Sequence, residues 1–221
     1  MTDKRIILIG GGGHCRSAID VIEADGSFKI AGIVDLPEKV GEQVLGYFIL
    51  ADESALPALV KEHRHFVVTV GHIRDCRTRR RLFELVKMEG GVLPVICSPT
   101  ARVSPHARIG DGTVVFHQAV VNSLAEIGEN CIINTGAVIE HDAVIEDHVH
   151  VSTGAVVNGA CRVRSGSFIG SQAVLAEGVT VGRGNLIGAG AVVLKDTDPE
   201  SLWAGNPARR IKTHHPGRND D

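Results

Sequence analysis

From Val103 to Val193 an aliphatic residue returns at every sixth position without a slip. The series runs Val103, Ile109, Val115, Val121, Ile127, Ile133, Ile139, Ile145, and on through Val151, Val157, Val163, Ile169, Leu175, Val181, Ile187 to Val193. Four places after each lies a position that is nearly always small, such as Ala119, Ala125, Cys131, Ala137, Ala143 and Ala155. A period of six fits neither the 3.6-residue helix nor the heptad. It fits a short strand and a turn, repeated. One such unit cannot bury its aliphatic residue alone, but units coiled and stacked as a parallel β-helix can, because each coil covers the one below. Composition agrees: aromatics are only 4% of the chain, while 26 glycines supply frequent turns.

The array resembles the hexapeptide-repeat, left-handed β-helix proteins. That resemblance implies three hexads per triangular coil, hence about five coils and a prism about 25 Å tall at ~4.8 Å between neighbouring strands. It also implies that positions 18 apart stack. His141 then lies between Ser123 and Gly159, with the glycine leaving space beside it. His148 falls between Asn130 and Gly166, and His150 between Ile132 and Phe168. The outward Val120, Val138, Val144 and Val156 are too apolar for three solvated faces, so an interface is expected.

Residues 1–97 read as an α/β domain with a small parallel, Rossmann-like sheet. Strands are expected at Arg5–Gly10, Lys29–Asp35 and Phe66–Gly71, and helices at 17–23, 53–63 and 75–88. The β-helix is expected over 98–212, with a mobile tail over 213–221. Gly11-Gly12-Gly13-His14 forms a turn between strand and helix, a geometry that presents backbone N–H groups to a phosphate. The dinucleotide fingerprint is incomplete, because Cys15 stands at its third glycine site. Asp35 ends the second strand, where a ribose-binding acid belongs. NAD, the nucleotide part of another ligand, and a purely structural turn all remain open. His14 reads either as a capping histidine or as a donor to phosphate or sugar.

The formal charge of −3 gives no footprint for nucleic acid or an anionic membrane. Arg77, Arg79, Arg80 and Arg81 are expected to form a solvated helix face. No apolar run approaches a membrane span, and the N-terminus lacks the form of a signal peptide. Five cysteines without a CxxC pair suit reduced thiols in the cytoplasm.

A neutral imidazole is suited to taking a proton at pH 7. That serves the attack of an amine or hydroxyl on a thioester, with the proton then passed to the leaving thiolate. An adjacent acid fixes the tautomer, as Asp142 does if His141 is the base. The alternative for a lone exposed histidine is surface decoration. His117, His141, His148 and His150 are also candidates for a zinc cluster. Their spacing differs from that of the γ-class carbonic anhydrases, and no metal site is expected.

Taken together, the Ile9-Gly-Gly-Gly-Gly-His14 turn, Gly32-Ile-Val-Asp35, Asn134-Thr-Gly-Ala-Val-Ile-Glu-His141-Asp142, His148-Val-His150 and Gly205-Asn-Pro-Ala-Arg209 look like one family over nearly the whole chain. It is the sugar acetyltransferase family of the UDP-4-amino-sugar N-acetyltransferases of the bacillosamine pathway and the sialic-acid O-acetyltransferase-like proteins. The resemblance implies His141 as general base and Asp142 as its accompanying acid. It places Gly12, Gly13, His14, Asp35 and Asn134 with a nucleotide-sugar substrate. It places His150, Gly159, Gly188 and Ala189 with acetyl-CoA as co-substrate, and it implies a homotrimer whose CoA sites lie between adjacent prisms. N-acetylation of a nucleotide-linked 4-amino sugar, O-acetylation of a sialic-acid-like sugar and a non-catalytic accessory role are the readings compatible with it.

Overall fold

The computed structural model describes residues 4–214. The N-terminal part is built on a five-stranded sheet. β1 (Arg5–Ile9), β2 (Lys29–Asp35), β4 (Tyr47–Asp52) and β5 (His65–Val68) are parallel, and β3 (Gln43–Val44) pairs antiparallel with β4. The order is β3-β4-β2-β1-β5. β1 is almost wholly buried, as expected of a parallel strand covered on both faces. α2 (Leu56–Glu62) and α3 (Arg77–Met88) cover one face through Leu56, Leu82, Phe83 and Val86. α1 (Gly13–Asp25) covers the other with Cys15, Ala18, Ile19 and Ile22.

The sequence missed β3 and β4, which add the outer edge of the sheet. It also started the first helix too late. Gly13 is already helical and Gly12 is the N-cap, so His14 stands in the first turn of α1 and not in a loop.

From Ile96–Cys97 (β6) onward, two-residue strands recur every six residues to Val192–Val193. They stack in parallel with an 18-residue register, as in Val120↔Val138, Glu126↔Val144 and Ile132↔His150. The prism therefore begins just before residue 98, since β6 pairs with Val114–Val115. Inside it the aliphatic series and its small partners form one continuous core. The second residue of each turn, from Gly112 to Gly190, has a positive φ between 54° and 73° whether or not it is glycine. The corner geometry is thus a property of the coil.

The three faces differ. One presents Ile96, Val114, Ile132, His150 and Phe168, and all of these are buried. α1 lies between this face and the sheet, with Ile96, Val114, Phe116 and Ile132 in the same apolar cluster as its own buried residues. The second face presents Arg102 and then an unbroken column of Val120, Val138, Val156, Val174 and Val192, half-exposed in the single chain. The third presents Arg108, Glu126, Val144, Arg162 and Thr180. Val144 points outward, as expected, and lies on this charged face.

The C-terminal segment closes the prism. Ser201–Ala204 extends the first face next to Leu186–Ile187, and Arg209–Thr213 pairs antiparallel with it. Thr213 and a buried His214, whose Nε2 lies 2.7 Å from the carbonyl of Arg74, contradict a mobile tail beginning at 213. Residues 215–221 of that expectation lie outside the described residues.

The solvated arginine face also requires correction. Arg79 has no exposed surface. Its Nη1 donates to the carbonyls of Val68 and Val70 at 2.5 and 3.0 Å, and its Nε donates to that of Asn130 at 3.1 Å. Arg77, Arg80 and Arg81 are exposed as expected. Arg79 thereby ties α3, the end of β5 and a prism corner together. Replacing it by alanine strands three buried carbonyls and leaves a cavity, at a cost of about 3 kcal/mol or more. We expect Arg79→Ala to melt about 6 °C or more below the parent. Arg80→Ala should stay within about 0.5 kcal/mol of the parent in urea unfolding. Equal behaviour of the two variants would refute the bridging role.

Candidate active site

α1 begins where β1 ends, so its first turn points over the carboxyl edge of the sheet. A Cβ built on Gly12 or Gly13 meets nothing within 4 Å, and no side chain caps the helix. The helix N-terminus therefore offers unobstructed N–H groups with the positive end of the helix dipole behind them, a site suited to phosphate. Gly11 is tighter: a Cβ there would stand 2.7 Å from Oδ2 of Asp35. The same Oδ2 accepts from Lys39 Nζ at 2.9 Å. Asp35 is thus held at the lip of the glycine turn.

His14 turns from this edge toward the prism. Its ring lies 5.1 Å from that of Phe116 and 6.2 Å from that of His150. His150 projects outward from the face that α1 covers. Its Nδ1 donates to the carbonyl of His72 at 2.7 Å, and its Nε2 accepts from the Asn134 side-chain amide at 3.2 Å. Asn134 Oδ1 accepts from the Thr135 amide at 2.8 Å, which fixes the amide's orientation. With both nitrogens used in this way, His150 is a neutral Nδ1–H tautomer. Burial, with the backbone contact to His72 opposing and Arg79 assisting, holds its pKa down to about 4. Burial, followed by the charges of Arg79 and His150, lowers His14 to about 3. His72 stacks edge-on to His150 at 5.5 Å, and burial lowers it well below 6.5. Among the described residues, His14 Nε2 and both ring nitrogens of His72 are buried without a hydrogen-bond partner.

His141 is elsewhere. It occupies the corner between the valine face and the charged face, and its side chain is 59% exposed. Asn134 lies at the opposite edge of the valine face, so a whole face separates the two. A Cβ on Gly159 would stand 2.8 Å from Cε1 of His141, which shows that the glycine makes room for the imidazole itself. Nδ1 lies 2.8 Å from Oδ2 of Asp142. That contact fixes Nδ1–H as the donor and leaves Nε2 as an open acceptor. The Asp142 hydrogen bond raises the His141 pKa against desolvation, and the charges of Asp142, Glu140 and Glu177 add to the rise.

Gly188 and Ala189 lie on the corner series of Asn134. Gly188 has Ala204 against it, whereas Ala189 is exposed. Of the residues placed on sequence, the structure gathers Gly12, Gly13, His14, Asn134 and His150 along one seam, with Asp35 at the near edge of the glycine turn. His141, Asp142 and Gly159 form a separate group. His117, which bonds Ser98 and Asp20, and His148, which bonds Asn130, are accounted for by structural contacts. Among the described residues no group of three or more His, Cys, Asp or Glu is arranged to hold a metal ion.

Sequence reasoning missed His72. The available signal was its place just beyond β5, at the carboxyl edge where open α/β sheets bind ligands.

The neutral histidines make stability pH-dependent. Unfolded, each titrates near 6.5; folded, His14 and His150 titrate near 3 and 4. Below 6.5 the unfolded state binds more protons, so stability rises with pH through the window from about 4 to 6.5 and falls on acidification. Urea midpoints measured from pH 7 to 5 should decline in the parent, and less steeply in His150→Gln. Parallel slopes would contradict the buried neutral assignment.

The N-terminal part, residues 5–86, matches the PglD N-terminal domain, and residues 124–159 and 160–195 match the bacterial transferase hexapeptide (six repeats). Comparison of the sequence with curated proteins finds no significant match. Among solved structures, a mutant of perosamine N-acetyltransferase from Caulobacter crescentus, in complex with CoA and GDP-perosamine, is 32% identical with a TM-score of 0.89. The match covers 96% of this chain and 98% of that one. The acetyltransferase domain of PglB from Neisseria gonorrhoeae, in complex with acetyl coenzyme A, is 34% identical with a TM-score of 0.87, covering 95% and 100%. WeeI from Acinetobacter baumannii, 22% identical with a TM-score of 0.84 over 94% and 100%, shares the fold. On these matches the chain belongs to the hexapeptide-repeat sugar acetyltransferases, with a PglD-type N-terminal domain and a left-handed β-helix.

Proposed function

We propose that the protein transfers an acetyl group from acetyl-CoA to the amino group of a nucleotide-linked 4-amino-4,6-dideoxy sugar, with His141 as general base. The carrying observation is the exposed His141 imidazole, its Nδ1 held by Asp142 at 2.8 Å and its Nε2 open. Nε2 takes a proton from the amine as nitrogen bonds to the acetyl carbon. The imidazolium, stabilised by Asp142, returns that proton to sulfur as the C–S bond breaks. The kinship to enzymes solved with CoA and GDP-perosamine supports this pairing of substrates.

On this reading, Gly12 and Gly13 receive the diphosphate at the α1 N-terminus and Asp35 receives the ribose. The sugar then runs along the seam toward His14 and Asn134. The pantetheine arm of the co-substrate follows the prism edges near Gly159, Gly188 and Ala189, and His150 acts through Asn134. Five free thiols suit a reducing cytoplasm.

The active site is shared between chains. His141 and the His14–Asn134 seam flank opposite edges of the valine face, so one chain alone does not bring them together. A head-to-tail interface built on that face sets one edge against the other edge of a neighbour, and three such contacts close a ring. The homotrimer is therefore part of the site.

His141→Ala should lose about 10²–10⁴ in turnover, and Asp142→Asn less. The base acts when neutral, so kcat/KM should rise with pH through a pKa above 6.5 in the parent. In Asp142→Asn that limb should shift to lower pH, because the carboxylate that raises the pKa is gone. An activity of His141→Ala within twofold of the parent would remove the general base.

The shared site has its own test. Two inactive variants, His141→Ala and Asn134→Ala, are unfolded together, refolded and assayed. Random mixing should restore roughly a quarter of the sites, since each draws its two sides from independently chosen chains. No recovery in mixed trimers would place the whole site in one chain.

A further inference from the structure

Residues 69–76 lead from β5 to α3 with no helix or strand of their own. Among the described residues, positions 70–75 make no backbone–backbone hydrogen bond. Side chains hold the segment instead, at every second carbonyl. Arg79 Nη1 donates to Val70 at 3.0 Å, His150 Nδ1 to His72 at 2.7 Å and His214 Nε2 to Arg74 at 2.7 Å. All three donors are more than nine-tenths buried. They come from α3, from the prism, and from the residue that follows the C-terminal strand Arg209–Thr213. His214 bonds neither to the seam nor to the glycine turn. Its own amide donates to the Glu200 carbonyl at 2.6 Å, which fixes it against the closing segment.

We propose that His214 is a positioning residue for the acetyl transfer, latching the segment after β5 so that His150 holds Asn134 toward the amino sugar. The inference rests on the nucleotide-sugar reading given above and adds a residue from the far end of the chain. The connection is a row of hydrogen bonds. The Arg74 carbonyl is held by His214, and two residues before it the His72 carbonyl receives Nδ1–H of His150. That bond fixes the tautomer, so Nε2 of His150 accepts from the Asn134 amide at 3.2 Å. Asn134 Oδ1 is taken by the Thr135 amide, so one N–H of Asn134 is left to aim at a substrate oxygen. A segment without backbone bonds of its own keeps its shape only while its anchors hold. Without the His214 donor, the buried Arg74 carbonyl must find water or turn away. The His72 carbonyl, two residues back on the same free stretch, turns with it, and the aim of Asn134 is lost.

The experiment compares His214→Phe, which keeps a buried ring but has no donor, with His214→Gln, whose side-chain amide can reach the same carbonyl. Both are assayed as full chains below the melting transition of every variant. In His214→Phe, kcat/KM for the amino sugar should fall about tenfold, the size of one orienting hydrogen bond, while the acetyl-CoA KM is unchanged. His214→Gln should recover most of the loss. In a His150→Ala background the same Phe substitution should cost less than about twofold, because the route through His150 is already cut. A His214→Phe activity within about twofold of the parent, equal losses in Phe and Gln, or a tenfold loss that persists without His150 overturns the latch. Each of these leaves the acetyltransferase reading standing, since that reading fails only if the parent does not acetylate a nucleotide-linked amino sugar. A readout without substrate covers that case. In protein labelled with ¹⁵N-histidine, the Nδ1–H signal of His150, assigned by its absence in His150→Ala, should be sharp in the parent and in His214→Gln and broadened or lost in His214→Phe. An unchanged signal in His214→Phe overturns the latch whatever the substrate.

Discussion

A single apolar face of the prism carries α1. The hexad repeat must place one residue of each strand pair inward and the other outward. On most β-helix faces the outward residue meets solvent or a partner. Here Ile96, Val114, Ile132 and Phe116 take the apolar side of α1, which is amphipathic on both flanks and buries its opposite side in the sheet. Each aliphatic side chain removed from water in this way is worth about 1.5–3 kcal/mol. The contact makes the two parts share a core. It also fixes where the first turn of α1 ends up, and with it His14, beside His150 and Phe116.

Burial then assigns different electrostatic roles to chemically identical side chains. His14, His72 and His150 lie under the interface near a fully buried arginine, and desolvation keeps them neutral. Neutral imidazoles can orient an amide or a substrate hydroxyl without repelling a cation. His141, outside the interface and beside a carboxylate, is shifted the other way. A base must exchange protons with its substrate, and an exposed ring with an anchored tautomer can do so. The buried rings are fixed by their contacts, as Asn134 and the His72 carbonyl fix His150.

The prism was legible because its rule is local: every inward position and its small partner can be counted along the chain. The Gly159 stack beside His141 follows from the same 18-residue arithmetic. The α/β part was less legible. β4, Tyr-Phe-Ile-Leu-Ala-Asp, lacks clean alternation, because it lies between β2 and a two-residue edge strand and is only partly covered. Arg79 was misread because a charged residue in a basic helix carries no mark of burial. Its partners are carbonyls of Val68, Val70 and Asn130, which no side-chain pattern announces. The histidine cluster was hidden for a related reason: residues 14, 72 and 150 meet only through the docking of α1 and the loop after β5 onto the prism.

The corners show how a repetitive scaffold acquires a specific site. Every turn from Gly112 to Gly190 puts its second residue in the left-handed region, and Asp142, at φ 59°, is no different from Gln118 or Ala160. The backbone at His141 therefore stores no special strain. What distinguishes this corner is the stack of side chains on an identical frame. Gly159 in the next coil leaves a gap the width of an imidazole, and Asp142 supplies the carboxylate that sets the ring's tautomer. A β-carbon at 159 would meet the ring at 2.8 Å and force it aside before any substrate arrived. The glycine thus sets the position of His141, and the same coil geometry without it would carry a histidine unable to lie in place.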